Sequence, residues 1–229
     1  PGTTPDALRP PCGVIANPDC TTPVWLLALY PLHNIFRVSR VFVASYQAVS
    51  GSGTRGVEEL NRQTENWARH AERCSSRPAG DLPSAENQLD ASRSEAATVF
   101  PHPIAFNLLP HIDSFLENGY TKEEVKMQDE TRKIMHLPQL RVSATCVRVP
   151  VYRAHSVAVS AEFERSVSVE QAREILSKAP GLELVDAPNK NNYPTPLSVA
   201  GKDECHVGRV RLDCAFDNGL SFWVSGDQL

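Results

Sequence analysis

Leu140-Arg141-Val142-Ser143-Ala144-Thr145-Cys146-Val147-Arg148, followed a short turn later by His155-Ser156-Val157-Ala158-Val159-Ser160-Ala161-Glu162-Phe163, decides how this chain is read. Both runs alternate apolar and polar. In the first, Leu140, Val142, Ala144 and Cys146 share one face, and Arg148 ends it. In the second, His155, Val157, Val159, Ala161 and Phe163 share a face. Period two marks a half-buried strand, because successive side chains point to opposite sides. Val151 to Arg153 read as the turn between them. Outward from this pair, Arg40–Ser45 reads as a buried strand, and further strands are expected near Leu182–Val185, Val207–Leu212 and Leu220–Val224. Helical patterns stand in separate blocks. Val24 to Phe36 is a long apolar run with Pro23 before it, and Pro31 is expected to kink or end it. Val57, Leu60, Thr64, Trp67 and Ala71 repeat at three and four. Thr121-Lys122-Glu123-Glu124 is a capping box opening a helix to about Met135, and Ser168 with Gln171 opens another that turns Ala172, Ile175 and Leu176 inward. Strands joined by short turns, with helices apart, predict an α+β fold on a mostly antiparallel sheet. Residues 74–97 lose all pattern and are expected to form an exposed loop.

The 229 residues leave room for one large domain, or one domain and part of another, and 41% hydrophobic content can bury a core. Net charge is -4 with both signs mixed, so no basic stripe points to nucleic acid. No apolar stretch approaches the roughly 18 residues of a membrane span. The six cysteines show no C-x-x-C pair and no metal-finger spacing, so no metal is expected and they read as reduced thiols of an intracellular protein. The chain starts Pro1-Gly2-Thr3 and stops at Gln228-Leu229 after a strand-like run, which reads as a fragment.

Chemistry concentrates in a few places. In Gly13-Val14-Ile15-Ala16-Asn17-Pro18-Asp19-Cys20-Thr21-Thr22, a short strand end meets a turn and then a helix, with Cys20 at the helix start. Free N–H groups and the helix dipole there favour a thiolate. A buried structural cysteine is the competing reading. His155 opens an apolar face and could line a cleft, or it is a satisfied histidine at a strand start. Arg148 on its small apolar face wants an anion, either a substrate carboxylate or a protein acid. Gln47 lies between a strand and a Gly/Ser turn and could orient a ligand. Glu123 and Lys126 have the spacing of a surface ion pair. Ser50-Gly51-Ser52-Gly53 before a helix could meet an anion. No G-x-G-x-x-G follows a strand, so no dinucleotide fingerprint is present.

Several stretches, in order, resemble the aspartate-semialdehyde dehydrogenase family. Ile15–Thr22 is similar to its nucleophile motif, and Ser45–Gly53 to the motif that follows. The similarity continues through Ile104–Asn107, Asn118–Met127, Glu130–Ile134, Arg148–Ser156, Pro194–Leu197, Val207–Arg209 and Gly226–Gln228, and lapses at 74–97. The resemblance implies a glyceraldehyde-phosphate-dehydrogenase-like catalytic domain with helices on one face of a mixed sheet. Residues 1–19 would be the end of a nucleotide-binding domain, and 20–229 the catalytic and dimerisation domain. It implies reversible NADP-dependent reductive dephosphorylation of L-aspartyl-4-phosphate to L-aspartate-4-semialdehyde, on the lysine, threonine and methionine route. Cys20 would form the acyl-thioester and His155 would be the acid/base. Gln47 would position the acyl group, Glu123 the amine, Lys126 the phosphate and Arg148 the α-carboxylate. Ser50, Gly51 and Gln228 would touch NADP. A homodimer or homotetramer in cytoplasm or plastid stroma is implied, without nucleic-acid or membrane partners. Lacking a nucleotide domain, the 229-residue chain alone is expected to be inactive. Asp19 stands where the family usually has Asn, and its charge should raise the thiol pKa. A non-catalytic dimerisation module, a related acyl-phosphate reductase and a Cys/His hydrolase remain as alternatives.

Overall fold

The computed structural model describes residues 17–74, with side chains to 69, and 99–228. The strand end expected at Val14–Ala16 lies outside them. So does the loop expected over 74–97, except for Cys74, which closes a helix. Six strands form one sheet: β1 (Val38–Gln47), β2 (Arg141–Arg148), β3 (His155–Phe163), β4 (Leu182–Leu184), β5 (Cys205–Leu212) and β6 (Gly219–Gly226). Their order is β2-β1-β3-β6-β5-β4. β1–β2 and β4–β5 are parallel, and the pairs β1–β3, β3–β6 and β5–β6 are antiparallel.

The inner faces read in β2 and β3 are buried as expected, with Ser156 buried on the opposite face as well, but the two strands are not neighbours. β1 lies between them. The link from Val149 to Ala154 is therefore not a hairpin turn. It crosses the end of β1, where the Val149 N–H donates to the Gln47 carbonyl (3.0 Å) and the Val49 N–H donates to the Val151 carbonyl (2.8 Å). Local pattern reports which face a side chain takes. It carries no information on which strand supplies the hydrogen bonds.

One sheet face is covered by helices. α1 (Thr22–Phe36) lays Trp25, Leu29 and Leu32, all fully buried, on the middle of the sheet. Pro31 lies inside the helix and does not end it. The carbonyl it leaves without a donor belongs to Leu27, on the wet side of the helix with Tyr30, where water can serve it. α2 (Gly53–Cys74) starts earlier than its periodicity suggests and stands off the sheet. Leu60 joins Val49, Phe100, Ile104 and Leu109 in a small second core. Gln63 Oε1 accepts the Ile104 and Ala105 N–H groups (2.8 and 2.9 Å), which ties the 99–106 segment to α2. α3 (Lys122–Ile134) begins with the expected capping box, formed by Thr121 and Glu124, and sets Met127 against Cys146 of β2. α4 (Val169–Ser177) is capped by Ser168 and buries Ala172 and Leu176. A single turn, α5 (Pro196–Val199), precedes β5.

Among the described residues the other sheet face carries no helix layer. Tyr46 packs on Trp223 (5.3 Å between ring centroids), Phe42 stacks on Phe216 (5.9 Å), and Arg40 pairs with Glu162. Phe42 remains 51% exposed, a large apolar side chain left in water.

Gly208 of β5 is required by a close approach: a Cβ there would stand 2.1 Å from the Val185 carbonyl oxygen. Gly208→Ala is expected to cost about 1–3 kcal/mol, as overpacking does. Urea unfolding should show a lower midpoint with an unchanged slope. An unmoved midpoint would refute the close approach.

Candidate active site

The site lies at one end of the helix-covered face. Alternation places Val41, Val43, Ser45 and Gln47 of β1 on that face. Their partners across the sheet are Val142, Ala144, Cys146 and Arg148 of β2. On the other side Ser45 pairs with Val157, and β3 begins two residues earlier at His155. Each row is apolar or small until its last member, and the last members are Gln47, Arg148 and His155. All three are buried, with His155 fully so. Parallel β1 and β2 end where antiparallel β3 begins, so three polar side chains from distant sequence meet at one edge of the core.

The turn before α1 brings Cys20 to them. Cys20 Sγ lies 3.5 Å from His155 Nε2. Cys20 is only half-buried. The turn is fastened to α3: the Asp19 N–H donates to both carboxylate oxygens of Glu130 (3.1 and 3.0 Å). Glu123, Lys126 and Glu130 recur at three, four and seven along α3 and form its polar face toward the turn. Gln47 Nε2 donates to Glu123 Oε1 (3.0 Å). Lys126 Nζ stands 3.6 Å from both Glu123 and Asp113. The Asp19, Cys20 and Glu123 side chains come within 4.8 Å of one another.

This crowding sets the charges. Burial, then its hydrogen bond to Glu123 and that group's charge, raise the Asp19 carboxyl to about 6 against the opposing pull of the Thr21 N–H and Lys126. Burial also raises the Cys20 thiol above its ordinary value, and Asp19 adds to this. The expectation that the helix start favours a thiolate is thus overturned. Cys20 precedes the helix, and desolvation beside carboxylates outweighs the dipole. His155 also departs from the near-neutral base implied by the resemblance. Burial, then the Arg148 charge, push it down to about 3. Burial pulls Lys126 down, but Glu123, Asp19 and Asp113 outweigh it and keep the ammonium raised.

Arg148 Nη1 donates to the Ala48 carbonyl (2.8 Å). Among the described residues no carboxylate stands within ion-pair distance of this guanidinium. Of the two partners read for Arg148, a protein acid is therefore not in place. Gly51 lies so close that a Cβ on it would be 2.8 Å from Arg148 Nη1 and 3.4 Å from His155 Nε2. Gln228 Nε2 donates to Ser50 Oγ (2.6 Å), while Gln228 Oε1 is buried without a partner among the described residues. An open acceptor beside Ser50 and Gly51 suits an amide-bearing cofactor. The structure thus brings together every residue singled out in the sequence. Sequence reading missed the roles of Glu130, Asp113 and the Ala48 backbone. The three-, four- and seven-residue spacing on α3 was the available signal for Glu130; a backbone N–H has none.

Residues 29–229 match the family model described as semialdehyde dehydrogenase, dimerisation domain. The chain is 46% identical over 217 residues to the aspartate-semialdehyde dehydrogenase of Aquifex aeolicus, covering 95% of this chain and 58% of that protein. It is 41% identical over 229 residues to that of Synechocystis sp., covering 100% of this chain and 61% of that protein. The crystal structure of aspartate semialdehyde dehydrogenase II from Vibrio cholerae complexed with ASA superposes with a TM-score of 0.80 at 37% identity, over 94% of this chain and 57% of that one. The fold is shared with the Candida albicans enzyme solved with NADP (TM-score 0.61, 20% identity, 93% of this chain and 52% of that one). The chain spans about three fifths of the length of the curated relatives it matches. With the α+β sheet, the Cys20–His155 contact and this similarity along almost the whole chain, the chain belongs to the aspartate-semialdehyde dehydrogenase family.

Proposed function

We propose that this chain carries the catalytic residues for interconverting L-aspartyl-4-phosphate and L-aspartate-4-semialdehyde, a step of amino-acid biosynthesis, in the cytoplasm of a cell like those of its bacterial relatives. The observation that carries the reading is Cys20 Sγ at 3.5 Å from His155 Nε2, beside an Arg148 guanidinium that has no carboxylate within ion-pair distance among the described residues. Cys20 attacks the acyl carbon, phosphate leaves, and the acyl group stays on sulfur as a thioester. His155 is the acid–base partner of that sulfur. Arg148 clamps the α-carboxylate through its remaining donors. Glu123, steadied by Gln47, takes the ammonium. Lys126 faces the phosphate, and Asp113 and Glu123 hold its side chain in place. Ser50, Gly51 and Gln228 would hold NADP, which when bound would supply the hydride in its reduced form and accept it in its oxidised form. The decisive assay is phosphate-dependent NADP reduction with L-aspartate-4-semialdehyde by the natural protein that carries this chain. Cys20→Ser should lower turnover at least a thousandfold; retained turnover would overturn the nucleophile.

Asp19 weakens the nucleophile that it precedes. Above about pH 6 its charge opposes the Cys20 thiolate. Asp19→Asn removes that charge, so alkylation of Cys20 at about pH 7.5 should quicken roughly two- to tenfold, about a pKa unit at most. The two proteins should converge at about pH 5, where Asp19 is protonated. Equal rates at the higher pH would show that its charge does not reach the sulfur.

Among the described residues Glu130 hydrogen-bonds only the backbone of the turn, and so positions the nucleophile. Glu130→Ala is expected to lower kcat about tenfold with KM little changed, since small displacements of an attacking atom are costly. Glu130→Gln keeps an acceptor and should recover most of the loss. A Gln variant as slow as Ala would assign Glu130 a different task.

The uncovered sheet face, with Phe42, Tyr46 and Trp223, supports docking of a second copy, in keeping with a domain described as a dimerisation domain. Phe42→Asp should halve the mass measured by light scattering. An unchanged mass would place the interface elsewhere.

A further inference from the structure

Glu124 is a buried acid at the start of α3 with no role in the chemistry proposed above. Its two oxygens have different tasks. Oε2 accepts the Thr121 N–H (2.8 Å) and completes the capping box. Oε1 reaches away from the helix and accepts the Cys146 N–H (2.9 Å). β2 is the edge strand of the sheet, so Cys146 has no strand on its outer side to bond. Cys146 is fully buried, and a buried N–H needs an acceptor. Two residues on, the same edge is closed by Leu109, which exchanges both backbone hydrogen bonds with Arg148 (3.0 and 2.8 Å).

The bond to Cys146 joins the two halves of a clamp. Glu123 immediately precedes Glu124, and Arg148 lies two residues beyond Cys146 on the same face of β2. Glu123 is the group assigned to the substrate ammonium, and Arg148 the group assigned to its α-carboxylate. Ammonium and carboxylate sit on one carbon atom, so their two partners must be held at one spacing. Gln47 steadies the Glu123 side chain. Glu124 fixes the backbone that carries it. The far end of α3 has a fastening of its own: Arg132 Nε donates to the Leu140 carbonyl (3.0 Å), just before β2. Helix and strand are thus pinned antiparallel, at one end by Glu124 and at the other by Arg132.

We propose that Glu124 is a positioning residue for substrate recognition: through the Cys146 N–H it sets the distance between Glu123 and Arg148, and so fits the site to a substrate bearing an amine and a carboxylate on one carbon. The inference rests on the roles given to Glu123 and Arg148 above. Without the Glu124 bond the near end of α3 is released while its far end stays pinned at Arg132. Glu123 then moves most. Glu130, two residues from Arg132, moves least, and the Cys20 turn that it fastens stays in place.

Steady-state kinetics of the natural protein that carries this chain read the role. Glu124→Gln keeps the size of the side chain, but its single carbonyl oxygen serves one N–H while its NH2 faces the other donor. It should raise KM for L-aspartate-4-semialdehyde roughly tenfold, about the worth of one hydrogen bond to a charged group. kcat should change little, because ground state and transition state lose the same contact. KM for NADP and the rate of Cys20 alkylation should stay as they are. Thr121→Ala controls for helix stability: it removes the Oγ1 that accepts the Glu124 N–H (3.3 Å) and leaves the Cys146 bond intact. That variant should lower Tm with KM unmoved. An unmoved KM in Glu124→Gln, an equal rise in Thr121→Ala, or a joint loss of kcat and Cys20 alkylation in Glu124→Gln would overturn the proposal. Absence of any turnover of aspartate semialdehyde by the natural protein would sink the functional reading and this inference with it. Turnover with an unmoved KM in Glu124→Gln would sink the positioning role alone.

Discussion

β1 hydrogen-bonds in parallel with β2 on one side and antiparallel with β3 on the other, and the site depends on that pairing. Register does the rest. With Gln47 opposite Arg148, and Ser45 opposite Val157, the core-facing rows of three strands end together. A slip of one residue would turn Arg148 and Gln47 to the opposite face and put their neighbours into the core. The apolar rows beneath α1 make such a slip costly, because the whole hydrophobic face would move with it. The same burial that stabilises the sheet therefore sets the position of the polar residues at its end.

The cost of that placement is electrostatic. Arg148, Glu123 and His155 are taken out of water, where unpaired charge is expensive. Each finds a different remedy. Glu123 accepts from Gln47 and faces Lys126. His155 remains uncharged and takes a hydrogen bond from backbone. Arg148 gives one bond to a carbonyl and keeps donors in reserve. Asp19 is less well accommodated: it crowds a second carboxyl against Glu123 and pushes up both itself and its neighbouring thiol. An Asn there would keep the shape and remove the charge. This chain therefore approaches its chemistry with a thiol harder to ionise than its surroundings otherwise require.

Much of this was legible beforehand. Period-two runs at Leu140–Arg148 and His155–Phe163 gave the strands and their inner faces, and the Thr121 and Ser168 caps gave two helix starts. These features depend on side-chain periodicity and on hydrogen bonds between residues a few positions apart. Pro31 shows the limit even of local rules: its effect depended on whether the orphaned Leu27 carbonyl met water or core. Cys20 shows it more sharply. Its place before a helix suggested an easy thiolate, but Asp19 and Glu123 arrive from the turn and from α3, and desolvation decided the sign.

The sequence alone determined which side chains face inward, where helices begin, and, through ordered motifs, which family the chain resembles. Only the tertiary structure decided that β1 separates β2 from β3, that Glu130 fastens the turn holding Cys20, and that Ala48 meets the His155 ring. The physical reason is common to all three. Backbone donors and acceptors are the same at every residue, so their partners are chosen by the packing of distant segments. Charges are governed likewise by the distance and burial that this packing creates.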